Sequence, residues 1–144
     1  MIFGRRKRSI ERILVVEDEP LVAFDNEHYL SDAGYEVVET TDRAAVALET
    51  IARGDAIHLV LADIELRDGS GLDVAAAAHA AGIAVMFVTG HCPADAERHA
   101  IGYLGKPYQP RTLIAAIQAI DDVVSGRTPK KVPDGFRLFT QAAS

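Results

Sequence analysis

The chain has 144 residues, 49% of them hydrophobic, which is enough for one compact domain with a core and too little for two. Its longest apolar stretch, residues 74–88, contains His79 and Gly82 and falls short of the roughly 20 residues that a membrane span needs, so we expect no membrane association. The first residues carry charge and no signal-peptide core, which predicts a cytoplasmic location. Cys92 is the only cysteine, so no internal disulfide can form.

The net charge of −6 is unevenly distributed along the chain. Residues 13–125 hold 6 basic and 19 acidic side chains, a balance that repels a phosphate backbone and attracts cations. We therefore expect no direct binding of nucleic acid. The remaining lysines and arginines cluster near the two ends of the chain. The sequence thus predicts a basic N-terminal tail over residues 1–10, a folded domain over 11–124 and a C-terminal tail over 125–144.

Short β-branched runs alternate with longer helical patterns, which predicts β-α units around a parallel sheet. The first run, residues 12–16, leads into a helix between Pro20 and Gly34. The side chains expected on the buried face of this helix are Leu21, Phe24, His28 and Leu30.

The second run, residues 35–40, precedes a helix that we expect Thr41 or Asp42 to cap. The runs at 58–63 and 83–88 have apolar residues on both faces, which is typical of central parallel strands covered by helices. Between these two runs, glycines with positive φ are predicted to turn the loop of residues 67–71.

The segment between Thr89 and Lys106 has only 16 residues and must supply a loop, a helix and a strand. The fourth helix, near residues 93–100, therefore has room for about two turns. A final strand near 102–105 and an amphipathic helix from Pro110 complete five β-α units, which predicts a doubly wound α/β fold with a five-stranded parallel sheet. In the C-terminal segment, Phe136 and Leu138 alternate with polar residues, a pattern that fits either a short docked strand or a disordered end.

Polar side chains stand just past the ends of four of the apolar runs. Glu17 and Asp18 follow the first run, Asp63 the third, Thr89 the fourth and Lys106 the fifth. If the runs are parallel strands, all of these side chains reach the crevice at the carboxyl edge of the sheet, where open α/β sheets bind ligands. Carboxylates, a hydroxyl and an ammonium together indicate a site for a divalent cation and a phosphoryl group.

Each of these residues has a simpler explanation when taken alone. Asp63 is a common turn residue, and the acidic pair before a helix is favourable to the helix dipole. Lys106 is ordinarily a solvated surface amine. Their joint placement at one sheet edge favours the site over these separate explanations.

Four motifs contain these residues, namely ILVVEDEP, LVLADIELRDGSGLD, FVTG and YLGKP. With these motifs in this order, residues 11–124 closely resemble the receiver domain of two-component response regulators. FVTG is similar to the Phe-Ala-Thr-Gly-type motif of alphaproteobacterial single-domain receivers. The resemblance implies a flavodoxin-like strand order of 2-1-3-4-5, here with a shortened fourth helix.

The resemblance also implies roles for the residues at the sheet edge. Asp63 would accept a phosphoryl group from a histidine kinase, and Thr89 and Lys106 would hold phosphoryl oxygens. Mg²⁺ would be bound by Asp18, by Asp63 and by the backbone carbonyl of Glu65.

Further residues would assist this site. The resemblance implies that Glu17 acts on the metal through a water molecule. Tyr103 matches an aromatic residue that turns inward on phosphorylation in many receivers, and simple packing is the alternative. Glu65 and His91 would flank the phosphoryl group, and we hypothesise that they limit access of the attacking water.

The sequence therefore predicts a single-domain response regulator that is not an enzyme beyond autophosphatase activity. We expect it to contact a downstream protein or phosphotransfer partner, or to drain phosphoryl groups from its kinase, as a monomer or a phosphorylation-dependent dimer. The alternatives are an aspartyl-nucleophile phosphatase and a phosphorylation-independent binding module.

Overall fold

A computed structural model of the chain describes residues 8–139, so Arg5, Arg6 and Lys7 of the predicted basic tail lie outside the described residues. The strands are β1 (Arg12–Val16), β2 (Glu36–Thr41), β3 (Leu59–Ala62), β4 (Glu65–Leu66), β5 (Gly69–Ser70), β6 (Ala84–Thr89), β7 (Gly102–Gly105) and β8 (Phe136–Leu138). The helices are α1 (Pro20–Asp32), α2 (Ala44–Ala52), α3 (Gly71–Ala80) and α4 (Pro110–Val124), with a short 3₁₀ turn at Ala96–Arg98. Across residues 8–139, no helix has the length and apolarity that crossing a bilayer requires.

The main sheet has six strands in the order β2-β1-β3-β6-β7-β8. The first five pair in parallel, and β8 pairs antiparallel with β7. The parallel strands confirm the predicted doubly wound fold, since β2-β1-β3-β6-β7 is the expected 2-1-3-4-5 order. The sixth strand is an addition to the predicted sheet, and it shows that the C-terminal segment forms a docked strand as far as Leu138.

Two apolar layers cover the sheet, one on each face. Strand β3 contributes to both, because Val60 and Ala62 belong to the cluster with α2 and α3, while Leu59 and Leu61 belong to the cluster with α1 and α4. All four side chains are at most 2% exposed. This central strand is therefore buried on both sides, as its continuous apolar run predicted.

Helix α1 buries a different face from the predicted one. Leu21 and Phe24 are 79% and 71% exposed, and His28 is exposed as well. Only Leu30 of the predicted set is buried. The expectation was wrong because it assigned the large apolar side chains to the core and so overlooked a polar residue there.

That polar residue is Asn26, which is 2% exposed. Its side-chain oxygen accepts a hydrogen bond from the hydroxyl of Tyr108, which follows β7. Ala23 takes the neighbouring inward position on α1. The pairing satisfies the buried amide oxygen and ties α1 to the segment that follows Lys106.

The segment between β6 and β7 contains less helix than predicted. The 3₁₀ turn Ala96–Arg98 replaces the expected two-turn helix, because most of the available residues form irregular loop. Ala96 and Ala100 belong to the apolar cluster that contains α2 and α3. Phe139, 7% exposed, completes the same cluster from the C-terminal end of the described chain.

The loop of residues 67–71 also differs from its prediction. It contains half of the β4–β5 hairpin, and its glycines do not have positive φ. Gly71 is required for a different reason, since a Cβ at this position would lie 1.8 Å from the backbone oxygen of Asp63. The glycine thus lets α3 begin directly against the residue that ends β3.

The N-terminus of α2 is capped from outside its own sequence. The carboxylate of Asp68, in the β4–β5 turn, accepts hydrogen bonds from the backbone N–H groups of Ala44 and Ala45. Neither Thr41 nor Asp42 caps the helix by its side chain, so that prediction was wrong. A cap in a distant loop leaves no local sequence signal, and it fixes the hairpin after Asp63 to α2.

Residues 8–10 pack against the domain. Ile10 is 1% exposed, and the buried carboxylate of Asp121 accepts hydrogen bonds from the backbone N–H groups of Ser9 and Ile10. The guanidinium of Arg8 lies 4.3 Å from the ring centroid of Tyr35. These contacts hold the chain just before β1 to the end of α4.

Candidate functional site

The carboxyl ends of the parallel strands bring four of the predicted side chains to one edge of the sheet. Glu17 directly follows β1, Asp63 directly follows β3, Thr89 ends β6 and Lys106 directly follows β7. The strands are adjacent and in register, so residues that end them converge. This is the edge at which doubly wound sheets bind ligands.

Lys106 lies at the centre of the site. Its Nζ donates to Glu17 Oε2 at 2.9 Å, to Glu19 Oε1 at 2.8 Å and to Asp63 Oδ2 at 2.9 Å. A lysine ammonium has three N–H donors, so these bonds use its full donor capacity. The Lys106 and Asp63 side chains are 14% and 13% exposed, which leaves both within reach of solvent at the rim.

Burial affects the pKa values of two ionisable side chains in the site, Glu17 and Lys106. Burial raises the pKa of the Glu17 carboxyl, and hydrogen bonds from the Glu19 N–H and from Lys106 offset this only in part. Burial alone would lower the pKa of the Lys106 ammonium, but its hydrogen bonds to Glu19, Glu17 and Asp63 raise that pKa above its ordinary value. The lysine therefore stays charged, and the site keeps more negative than positive charge.

Glu19 is a site residue that the sequence reasoning missed. Its carboxylate lies with those of Glu17 and Asp63 in a group whose oxygens are all within 4.8 Å of one another. Asp18, predicted as a metal ligand, is exposed on the loop between β1 and α1 and is not part of this group. The sequence signal that could have found Glu19 is its position directly after the predicted acidic pair. The loop between β1 and α1 is too short to place its side chain far from the site.

The donor set fits a hard divalent cation. Carboxylate oxygens are the ligands that Mg²⁺ prefers, and Glu17, Glu19 and Asp63 place such oxygens close together. In the described structure the Lys106 ammonium offsets only part of their negative charge. Glu65, whose carbonyl was predicted as a ligand, lies on β4 two residues after Asp63 with its side chain exposed.

The backbone on either side of Asp63 holds its carboxylate in place. Its Oδ1 accepts a hydrogen bond from the N–H of Ile64 at 2.7 Å, while Oδ2 faces Lys106. The N–H of Gly71 bonds to the Ile64 carbonyl at 2.6 Å, closing the hairpin behind the site. The carboxylate is thus oriented by its own loop and by the lysine opposite.

The remaining predicted residues lie along β6 and β7. Thr89 is 6% exposed, and its hydroxyl is 3.3 Å from both the N–H and the carbonyl oxygen of His91. His91 itself is exposed, and within residues 8–139 no hydrogen bond or ion pair joins it to Glu65. Tyr103 pairs with Phe87 across the strands and packs half-buried against the cluster that contains Phe139.

A groove opens beside Lys106, between α1 and the segment that follows β7. Its volume is about 360 Å³. The side chains that line it include Glu19, Val22, Asn26, Tyr29 and Tyr108. Burial raises the pKa of Tyr108 to about 12, so its hydroxyl stays protonated and donates to Asn26.

With this geometry established, a family model described as the response regulator receiver domain matches residues 13–118. The chain belongs to the response regulator receiver family. The match confirms the predicted family and places the chain in two-component signal transduction. Receivers are in general phosphoacceptors and not enzymes, in agreement with the prediction.

Two curated relatives match most of this chain. The phyllosphere-induced regulator PhyR of Methylorubrum extorquens is 34% identical over 110 residues, which are 73% of this chain and 41% of PhyR. The TorCAD operon transcriptional regulatory protein TorR of Escherichia coli is 30% identical over 112 residues, which are 74% of this chain and 48% of TorR. The chain therefore spans less than half the length of these two relatives.

Solved receiver structures superpose on the fold. A response regulator receiver protein from Sinorhizobium medicae is 28% identical with a TM-score of 0.68, covering 78% of this chain and 94% of that protein. A CheY-like receiver domain protein from Methanospirillum hungatei is 29% identical with a TM-score of 0.73, covering 82% and 98%. The fold described above is thus the receiver fold.

Proposed function

We propose that this receiver acts in the cytoplasm, where it accepts a phosphoryl group on Asp63 from a histidine kinase and either passes the signal on by protein contact or drains phosphoryl groups from that kinase. The observation that carries the proposal is the partly exposed Asp63 carboxylate, held 2.9 Å from the Lys106 ammonium beside the buried Glu17. A nucleophilic oxygen and a fixed cation that can take a phosphoryl oxygen are the two parts that phosphoryl transfer needs.

In the proposed step, an oxygen of the Asp63 carboxylate attacks the phosphorus of a phosphohistidine. The new O–P bond forms as the N–P bond breaks, and the electron pair of that bond returns to the imidazole nitrogen, which then takes up a proton. Lys106 binds one phosphoryl oxygen, and the Thr89 hydroxyl binds a second after it turns from the His91 backbone. The product is an aspartyl phosphate.

The proposed Mg²⁺ ligands are Asp18, Asp63 and the backbone carbonyl of Glu65, with Glu17 acting through a water molecule. What supports this is the set of hard oxygen donors at one sheet edge. When bound, the cation supplies charge that offsets the clustered carboxylates and the developing charge on the phosphoryl oxygens. Asp18 is exposed on the short loop between β1 and α1, directly after Glu17.

The exposed apolar side chains of α1 support a docking surface for the phosphohistidine donor. Leu21 and Phe24 are 79% and 71% exposed in the first two turns of the helix that begins beside the site. The groove next to Lys106 lies along the same helix. The exposed apolar side chains and the groove lie together beside the site, so we propose that a helical phosphotransfer domain with an apolar face packs here.

The decisive experiment is transfer of radiolabelled phosphoryl from a phosphohistidine donor, compared with an Asp63→Asn variant. We expect Mg²⁺-dependent label on the wild-type chain and none on the variant. Turnover of many phosphoesters without retained label would instead support the phosphatase alternative. A wild-type chain that takes no label from any donor would support a phosphorylation-independent binding module.

A second comparison tests the docking surface. Phe24→Ala is expected to slow transfer from the protein donor while leaving labelling by phosphoramidate, a small donor, unchanged. Val132→Ala is the matched control, because Val132 is also exposed, at 47%, but lies in the C-terminal segment. Equal slowing with both donors would place the defect in the site and remove the surface from the proposal.

The roles of the flanking residues are part of the same proposal. We propose that Tyr103 responds to phosphorylation through Thr89, and that Glu65 and His91 tune the autophosphatase rate. Both of the latter side chains are exposed beside Asp63 or Thr89, where an attacking water would pass. If replacement of Glu65 or His91 by Ala leaves the dephosphorylation rate unchanged, that residue has no tuning role.

A further inference from the structure

Lys106 has no N–H left for a phosphoryl oxygen. Its three donors are held by the carboxylates of Glu17, Glu19 and Asp63, at 2.8 to 2.9 Å. If Asp63 becomes an aspartyl phosphate, Lys106 has to release one of these partners to bind the new group. The identity of that partner decides how readily the site accepts the phosphoryl group.

Two of the three partners are poorly placed to leave. The Glu17 side chain is 2% exposed and also accepts a hydrogen bond from the N–H of Glu19, so it cannot turn to solvent. Asp63 carries the phosphoryl group itself, and its side chain is 13% exposed. The Glu17 and Asp63 side chains therefore stay beside Lys106 whether or not Glu19 leaves.

Glu19 differs from both in its environment. Its side chain is 59% exposed, and among residues 8–139 Lys106 is its ion-pair partner at 2.8 Å. A carboxylate at the surface regains water at little cost when it leaves such a pair. The Glu19 carboxylate is also negatively charged, as a phosphoryl oxygen is. It accepts a Lys106 N–H that a phosphoryl oxygen would otherwise accept.

We infer that Glu19 is a positioning residue that occupies the phosphoryl-binding N–H of Lys106 in the unmodified protein and competes with the incoming group. This inference rests on the proposed phosphorylation of Asp63. Glu19 keeps the lysine turned toward Asp63 before the reaction and leaves as the phosphoryl group arrives. It therefore lowers the rate of phosphorylation, in contrast to a metal ligand, which would raise it.

The test compares wild type, Glu19→Gln and Asp73→Asn in labelling by radiolabelled phosphoramidate with Mg²⁺. Asp73 is an exposed acid in the first turn of α3, the helix whose first residue, Gly71, lies against Asp63, so its variant removes the same charge without touching Lys106. We expect Glu19→Gln to be labelled about 2- to 5-fold faster, the scale of an exposed ion pair. Asp73→Asn is expected to match wild type in labelling. Calorimetry separates competition from metal binding, and we expect Glu19→Gln to bind Mg²⁺ no more weakly than Asp73→Asn does, since each variant removes one negative charge.

Several results would overturn the inference. Labelling of Glu19→Gln at or below the wild-type rate removes the competition, and a Mg²⁺ affinity below that of Asp73→Asn would make Glu19 a metal ligand. An equal gain in Asp73→Asn would assign the effect to overall charge. A structural defect slows labelling, so it cannot imitate the expected gain. If the wild-type chain takes no label, the proposed function fails as well, which is a different outcome from a labelled wild type with an unresponsive variant.

Discussion

The ring of Phe136 lies so close to Gly102 that a Cβ on residue 102 would be 2.8 Å from the ring. The two residues belong to β8 and β7, the antiparallel pair at the edge of the sheet. Phe136 is 6% exposed and packs into the apolar layer that contains Leu104 and α4. The C-terminal strand is therefore part of the core, and Gly102 leaves the space that its aromatic ring needs.

Replacing Phe136 by Ala is expected to destabilise the protein by about 3–5 kcal/mol, the usual cost of removing a buried phenylalanine side chain. Gly102→Ala should also destabilise it, because the added methyl group and the ring cannot both fit. Urea unfolding measures both effects. Val132→Ala, at a 47% exposed position in the same segment, serves as the control and should stay within about 0.5 kcal/mol of wild type.

Gly71 is a second glycine that lies tightly against a neighbouring group, in this case the backbone of Asp63 in the site. Because a Cβ there would lie 1.8 Å from the Asp63 oxygen, Gly71→Ala is expected to shift the start of α3 or the Asp63 loop. We predict slower phosphorylation by a small donor and a lower melting temperature. Gly69→Ala in the same hairpin is the matched control, since its Cβ would meet Ala44 at an ordinary 3.5 Å. Equal behaviour of the two variants would contradict this prediction.

The sequence was sufficient to predict those features of the fold and the site that arise from repeated patterns or from neighbouring residues. The parallel sheet and the convergence of Glu17, Asp63, Thr89 and Lys106 follow from apolar runs that end in polar residues, whereas the strand order was implied by the resemblance to receiver domains. These features are predictable because burial on both faces leaves a continuous apolar signal, and because the strand ends of a parallel sheet share one edge.

The features that the sequence did not predict depend on contacts between distant segments. Asp68, for example, caps α2 from another loop. Asn26 is buried because Tyr108 is there to donate to it. Neither periodicity nor cap preferences record such partners, since each residue is ordinary in its own local context.

Asp121 joins both ends of the described chain, and its removal should be costly. It is 5% exposed and accepts hydrogen bonds from the backbone N–H groups of Ser9 and Ile10, while Arg127 pairs with it at 3.4 Å. Asp121→Ala leaves the buried N–H of Ile10 unpaired, so we expect a loss of about 1–3 kcal/mol in the free energy of unfolding.

The Asp121 prediction is checked by hydrogen exchange as well as by urea unfolding. The amide of Ile10 should lose protection in Asp121→Ala, because its acceptor is removed. Glu49→Ala, an exposed acid on α2, is the control and should leave that amide protected. Protection of Ile10 that survives in Asp121→Ala would mean that packing, and not the carboxylate, holds the segment.

Glu17 links the stability of the protein to pH. Its pKa is raised from the ordinary 4.5 by burial, so between 4.5 and the raised value the folded protein binds more protons than the unfolded chain. Stability therefore falls as pH rises through that window, and a neutral side chain avoids the loss. We expect Glu17→Gln to be more stable than wild type at pH 7 by about 0.5–2 kcal/mol, at the expense of phosphorylation.

The same reasoning fixes how this difference changes with pH. Well below its ordinary pKa of 4.5 the Glu17 carboxyl is protonated in both states, so the advantage of Glu17→Gln should disappear there. Urea unfolding of both proteins across this range, with EDTA present to exclude metal binding, gives the comparison, and Glu49→Gln controls for surface charge. If Glu17→Gln is instead the less stable protein at pH 7, then the ion pair with Lys106 outweighs the cost of burying the carboxylate.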